Sequence, residues 1–176
     1  MNPSRRELMA LAGGGLATLA LPVRAQDAPM VEIEMRGSPR GERVWFSPQG
    51  VAVAPGTTIR WTNRDPGNSH TATAYGHADY GRQMRIPDGA EPWDSDYLLP
   101  DKSFEVTLTE PGVYDYYCLP HEMAGMVGRI VVGTPDDPGW QDAAPDGDDL
   151  EPEVLAAFPK VEDILAQTRV ESPQAQ

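Results

Sequence analysis

Val113-Tyr-Asp-Tyr-Tyr-Cys-Leu-Pro-His-Glu-Met-Ala-Gly-Met126 holds the chain's only cysteine, Cys118, with His121 three residues on and Met126 eight residues on. Tyr114, Tyr116 and Cys118 share one parity, so in a strand they face the same side, and tyrosines at that spacing mark the buried side. The strand then points Cys118 inward at its end. Pro120 restricts the residue before it and favours a turn, which returns His121 towards the sulfur. Gly125 and Gly128 flank Met126 and permit the bends into another strand. One short loop thus delivers a thiolate, an imidazole and a thioether, the donors of a soft-metal site. A fourth donor must come from elsewhere, and His70 in Asn68-Ser-His-Thr71 is the leading candidate.

Two other uses of Cys118 compete. A lone cysteine often serves as a small buried hydrophobe, which leaves the nearby His and Met to chance core filling. Cysteine with a nearby histidine also suits thiol catalysis, which gives Met126 no role. A mononuclear copper centre of the Cys, two His and distant axial Met type uses all four residues. Zinc has little use for an axial thioether. His77, in a polar stretch with Asp79 and Arg82, reads as a surface histidine. Met123 reads as apolar loop surface at the rim of the site.

Outward from this loop, turn signals recur at Pro48-Gln-Gly50, Pro55-Gly56, Asp65-Pro-Gly67 and Pro111-Gly112. Short β-like runs lie between them: Val31 to Met35, Thr58 to Thr62, Phe104 to Thr109 with Phe104, Val106 and Leu108 inward, and Arg129 to Val132. Many short strands with regular turns predict an all-β sandwich. No internal repeat is present.

The chain resembles the cupredoxin (blue copper) family, most closely its plastocyanin, pseudoazurin and halocyanin branch. The residues that carry the likeness are Trp61-Thr-Asn63-Arg-Asp65 before His70, Pro111-Gly-Val-Tyr-Asp-Tyr-Tyr-Cys118, Pro120-His121 and Gly125-Met126-Val-Gly128, within residues 30 to 133. The resemblance implies an eight-stranded Greek-key sandwich with one type 1 copper that carries single electrons, and the ligands His70, Cys118, His121 and Met126. It implies an electron shuttle rather than an enzyme. A copper carrier or storage protein is the alternative with the same ligands. Tyr117, of opposite parity to Cys118, is expected to face outward, where plastocyanins have a second electron route. Asn63 and Thr71 are expected to supply hydrogen bonds that fix the site. The polar stretch from Tyr75 to Pro100 and the tail after Gly133 depart from the family pattern. A dinuclear centre would need two cysteines, and a trinuclear cluster several His-x-His pairs; the chain has neither.

The ends of the chain read differently from its middle. Ser4-Arg-Arg-Glu-Leu-Met9 is a twin-arginine pattern, followed by an apolar run from Leu8 to Leu21. That run falls short of the roughly 20 residues that span a bilayer. Val23-Arg-Ala25 is a small-residue cleavage site. Residues 1–25 are therefore expected to be a signal peptide for Tat-type export to the periplasm or extracytoplasmic space, with 26–133 the cupredoxin domain and 134–176 an extension. A mature chain of about 150 residues buries roughly 70% of its unfolded surface, enough for one core without disulfides.

In the extension, Asp136-Asp-Pro-Gly-Trp140 and Asp146-Gly-Asp-Asp149 read as solvated linker. Val154, Leu155, Phe158, Val161, Ile164 and Leu165 then recur at helical spacing. Pro159 divides them into two short helices or one broken at Phe158. Such helices either pack on the sandwich or form a docking arm.

The net charge is −13, and −15 without residues 1–25. So acidic a surface repels nucleic acid and steers towards basic partners, such as a c-type cytochrome; a membrane oxidoreductase is the other expected redox partner. It equally suits a salty milieu. Eleven acidic residues lie after Gly133, so part of the charge is remote from any docking face. No small-molecule substrate is expected.

Overall fold

The computed structural model describes residues 29–76 and 82–176. The twin-arginine pattern, the cleavage site and His77 lie outside the described residues. Nine strands are present among the described residues: β1 (Met30–Gly37), β2 (Val44–Ser47), β3 (Gly50–Val53), β4 (Thr57–Asn63), β5 (Thr73–Ala74), β6 (Ser103–Leu108), β7 (Gly112–Tyr117), β8 (Val127–Val132) and β9 (Arg169–Val170). They form two sheets, ordered β2-β1-β4-β6 and β5-β7-β8-β3-β9. β1 runs parallel to β4, and β3 parallel to β8; the other pairs are antiparallel. This is the all-β sandwich that the turn spacing predicts. Its ninth strand belongs to the C-terminal extension.

Alternation builds the first sheet. In β4, Ile59 and Trp61 are fully buried, while Arg60 points out and pairs across the sheet with Glu105 at 2.7 Å. In β6, Phe104, Val106 and Leu108 turn inward between exposed Ser103, Glu105 and Thr107. Between the sheets, Trp61 meets Tyr116 edge-on at 5.4 Å and Trp93 at 5.6 Å, and Phe46 meets Tyr116 at 4.7 Å. Each fully buried side chain of this size contributes about 1.5–3 kcal/mol. The Tyr114 hydroxyl donates to the Glu110 carbonyl at 2.8 Å, the tyrosine-corner contact common in Greek-key sandwiches.

The second sheet is covered on both faces, and every residue of β7 and β8 is buried. The outer cover is the extension. Helix α1 (Pro152–Ala157) and helix α2 (Val161–Gln167) are separated at Phe158 and Pro159, where the sequence predicts the break. Val154 and Phe158 pack with Tyr75, Tyr117 and Val127; Ile164 packs with Val113 and Val131. Under this cover lies Asp115, fully buried. It accepts from Arg129 at 2.6 and 2.9 Å and from Arg85 at 3.2 Å. Phe158 closes the network, with the Arg129 guanidinium 5.0 Å from its ring.

Three expectations change. Tyr117 does turn away from the inter-sheet core, but it is 2% exposed because the extension covers that face. Residues 134–149 are not a free linker: the Gln141 carbonyl accepts from Val113 N–H at 3.0 Å, and the carbonyls of Ala144 and Pro145 accept from Arg85. Gly128 is not a bend. It lies within β8, where a Cβ would sit 2.3 Å from the Tyr116 ring. The described part of the Tyr75–Pro100 stretch folds against the sandwich edge, burying Ile86, Trp93 and Leu98, with Leu98 bridged to His70 and Asp94 to Thr73.

Candidate metal centre

Cys118 follows the last residue of β7 and is fully buried. A 3-10 segment, Leu119–Ala124, comes next and ends at Gly125, whose φ of +76° is left-handed. That conformation suits glycine and turns the chain towards β8. Backbone bonds close the loop: His121 N–H to the Cys118 carbonyl at 3.0 Å, Met126 N–H to the His121 carbonyl at 3.2 Å, and Cys118 N–H to the Met126 carbonyl at 3.0 Å. Cys118 and Met126 share one core cluster. His70 arrives from the β4–β5 connection and is itself fully buried.

The three donor atoms of His70, Cys118 and His121 lie within 4.8 Å of one another. Cys118 Sγ is 3.5 Å from His70 Nδ1 and 3.4 Å from His121 Nδ1, and the two Nδ1 atoms are 3.2 Å apart. An ion at the centre of such a triangle would sit about 2 Å from each corner, an ordinary metal–imidazole distance. Three lone-pair donors this close fit a single cation, and thiolate with imidazole suits copper. Met126 is fully buried within the same cluster, whereas Met123 is 67% exposed.

Partners fix each donor. His70 Nε2 lies 3.1 Å from the Asp65 carboxylate, so Nε2 donates and Nδ1 keeps its lone pair for the centre. Asp65 accepts also from Gly67 N–H at 2.9 Å and the Asn68 side chain at 2.7 Å. Asn63 accepts from Asp65 N–H and donates to the carbonyls of Asn68 and Leu98, each at 2.8 Å. Thr71 N–H donates to Cys118 Sγ at 3.3 Å, and its hydroxyl accepts from Leu119 N–H at 2.8 Å. Asn63 and Thr71 thus make hydrogen bonds around the site, as the sequence leads one to expect.

Electrostatics follow from burial. It pushes the Cys118 thiol up to about 12, against the opposing pull of the Thr71 and His121 backbone hydrogen bonds. Burial lowers both imidazoles, with the Asp65 hydrogen bond working against it at His70. Burial also opposes ionisation of Asp65, but hydrogen bonds from Asn68, Gly67 and His70 outweigh it and hold the carboxyl below its usual range. Neutral imidazoles beside a buried carboxylate are an environment for a cation.

A family model described as copper binding proteins of the plastocyanin/azurin family matches residues 33–133. The chain belongs to this family. Copper is accordingly the metal of this cupredoxin. Chloroplastic plastocyanin of Chlamydomonas reinhardtii is 29% identical over 75% of this chain and 86% of its own length. That of Oryza sativa subsp. indica is 30% identical over 73% and 80%. Among solved structures, pseudoazurin from Methylobacterium extorquens AM1 is 28% identical, covering 61% of this chain and 78% of its own, with a TM-score of 0.48.

Two buried acids of this cupredoxin escape sequence reading. Asp65 sits in an Asp-Pro-Gly turn signal, and the turn explains the residue without any metal. Gly37 carries the hint: a Cβ there would lie 1.9 Å from the Asp65 carboxylate, but nothing local in β1 announces it. Nothing in the sequence singles out Glu122, which is 6% exposed and accepts from the Tyr75 hydroxyl.

Proposed function

We propose that His70, Cys118, His121 and Met126 hold one type 1 copper, and that the protein shuttles single electrons between redox proteins. The observation that supports this most is the triangle of Cys118 Sγ and the two Nδ1 atoms, with 3.2–3.5 Å edges. Copper supplies the one-electron couple, Cu(I)/Cu(II). The sandwich fixes Cys118, Asp65 fixes the His70 ring, and Thr71 N–H steadies the sulfur. These constraints offer both oxidation states one arrangement, which keeps the barrier to exchange low.

His121 is the partly exposed member of the set, beside exposed Pro120, Met123 and Ala124. An electron leaves by that edge, and an apolar rim of this size suits brief docking. The acidic net charge of −13 favours basic redox partners such as a c-type cytochrome. The twin-arginine pattern and the small-residue site before Gln26 support export from the cytoplasm, with 26–133 as the copper domain. Among the described residues, no helix is long and apolar enough to cross a membrane. The role is carriage, without a substrate.

Cyclic voltammetry on the copper-loaded protein tests the shuttle. A reversible wave with copper retained over many cycles supports it. Loss of copper on each reduction contradicts it and indicates a copper carrier.

A further inference from the structure

The loop that carries His121 is held from outside the sandwich. Glu122, next to His121, is a buried carboxylate. One oxygen accepts from the Tyr75 hydroxyl at 2.9 Å, and the other pairs with the Arg82 guanidinium. Arg82 also donates to the Asp149 carbonyl, and Gln83 N–H donates to the Asp149 side chain at 2.9 Å. The loop is thereby tied to the extension just before α1.

Its other end is tied to the end of the chain. The Gln174 side-chain amide donates to the Ala124 carbonyl at 2.9 Å, one residue before the left-handed Gly125. Gln174 lies in a 3-10 turn, Pro173–Ala175, capped by the buried Ser172 hydroxyl. Before both ties, at the start of the segment, Leu119 packs on the cluster of Tyr75, Tyr117, Leu150, Val154 and Phe158. A carboxylate costs free energy to bury unless it is paired, and the partners of Glu122, Tyr75 and Arg82, both come from outside the metal loop.

We propose that Glu122 and Gln174 are positioning residues of the copper site, and that the C-terminal extension is part of that site rather than an appendage. They hold the Leu119–Ala124 segment at its fourth and sixth residues, between His121 and Met126, which fixes His121 and the entry to Met126. The inference rests on the copper assignment above.

The test uses the full chain loaded with copper. Glu122→Gln keeps the size and the Tyr75 bond but loses the charge that Arg82 needs; Gln174→Ala removes the second tie. Arg169→Ala, in an exposed pair with Glu171, is the control on the same extension. Release of Cu(I) to excess bathocuproine disulfonate, the visible charge-transfer spectrum, and the melting temperature of the metal-free chain are measured for each. Release should be about fivefold faster for Gln174→Ala and about tenfold faster for Glu122→Gln, the factors expected from a neutral and a charge-assisted hydrogen bond. The spectrum should shift with it, and Arg169→Ala should match wild type.

Release at the wild-type rate in both variants overturns the proposal, as does a fall confined to the metal-free melting temperature. Should Glu122→Gln fail to fold, Gln174→Ala decides alone. Absence of a charge-transfer band in the wild type would instead remove the copper assignment, so the two failures are told apart.

Discussion

The Asp65 carboxylate and the His70 ring are both buried, and Asp65 Oδ2 faces His70 Nε2 at 3.1 Å. A carboxylate on the far side of a metal-binding imidazole holds its tautomer and strengthens it as a donor. Asp65→Asn keeps the shape but removes the charge. It should raise the midpoint potential and weaken Cu(II) binding by about tenfold. Gly37→Ala, which drives a methyl into the same carboxylate, should shift the potential in the same direction. Voltammetry of both variants checks this; an unchanged potential in Asp65→Asn removes the carboxylate from the site.

The axial position separates two methionines. Met126 is fully buried beside Cys118, and Met123 is exposed. Met126→Leu should retain copper and move the potential upward, because a weak thioether donor to Cu(II) is lost. Met123→Leu should leave the potential alone. The opposite pattern would assign the thioether to Met123.

Copper uptake has a definite pH dependence. The Cys118 thiol is pushed up to about 12 by burial, and both imidazoles are pushed below their ordinary value. Near and above neutrality the metal-free site therefore holds one proton, on sulfur, and metal binding must expel it. Affinity should rise about tenfold per pH unit between pH 7 and 9. Metal-free stability runs the other way. A thiol whose pKa is raised by folding contributes stability that is intact below its unfolded pKa and is lost as pH climbs towards about 12. Copper titrations at several pH values, with release of one proton per ion, check the first sign; alkaline melts of the metal-free chain check the second.

The extension should also matter to stability through Phe158. Its ring stands 5.8 Å from Tyr75 and covers Arg85 and Arg129. Phe158→Ala should cost about 3 kcal/mol. Asp115→Ala should cost about 3–5 kcal/mol, because it leaves two buried guanidiniums without their anion. Urea unfolding with unchanged m-value measures both. A loss under 1 kcal/mol in each would mean that the cover contributes little.

What the sequence discloses depends on how far apart the partners lie. Cys118, His121 and Met126 stand out in the sequence because nine consecutive residues carry three metal-donor types. The alternation of β4, β6 and β7 discloses the sandwich for the same local reason, and Pro159 marks the break between the helices. Charged residues that act at a distance stay hidden. Asp115, Arg85 and Arg129 look like ordinary surface acids and bases until two elements bury them together. Tyr117 shows the same limit: alternation gives the direction of its side chain, but its cover comes from residues some forty positions later. Asp136 to Asp149 reads as linker because several of its tethers are backbone carbonyls, which leave no mark in composition.

The most direct measurement is a titration of the metal-free protein with Cu(II), followed by visible absorption and by electron paramagnetic resonance. One equivalent should produce an intense sulfur-to-copper charge-transfer band with the narrow copper hyperfine splitting of a thiolate-bound ion. Cys118→Ser should abolish both. Binding without that band, or a band that survives Cys118→Ser, would show that Cys118, His70 and His121 do not share one copper ion.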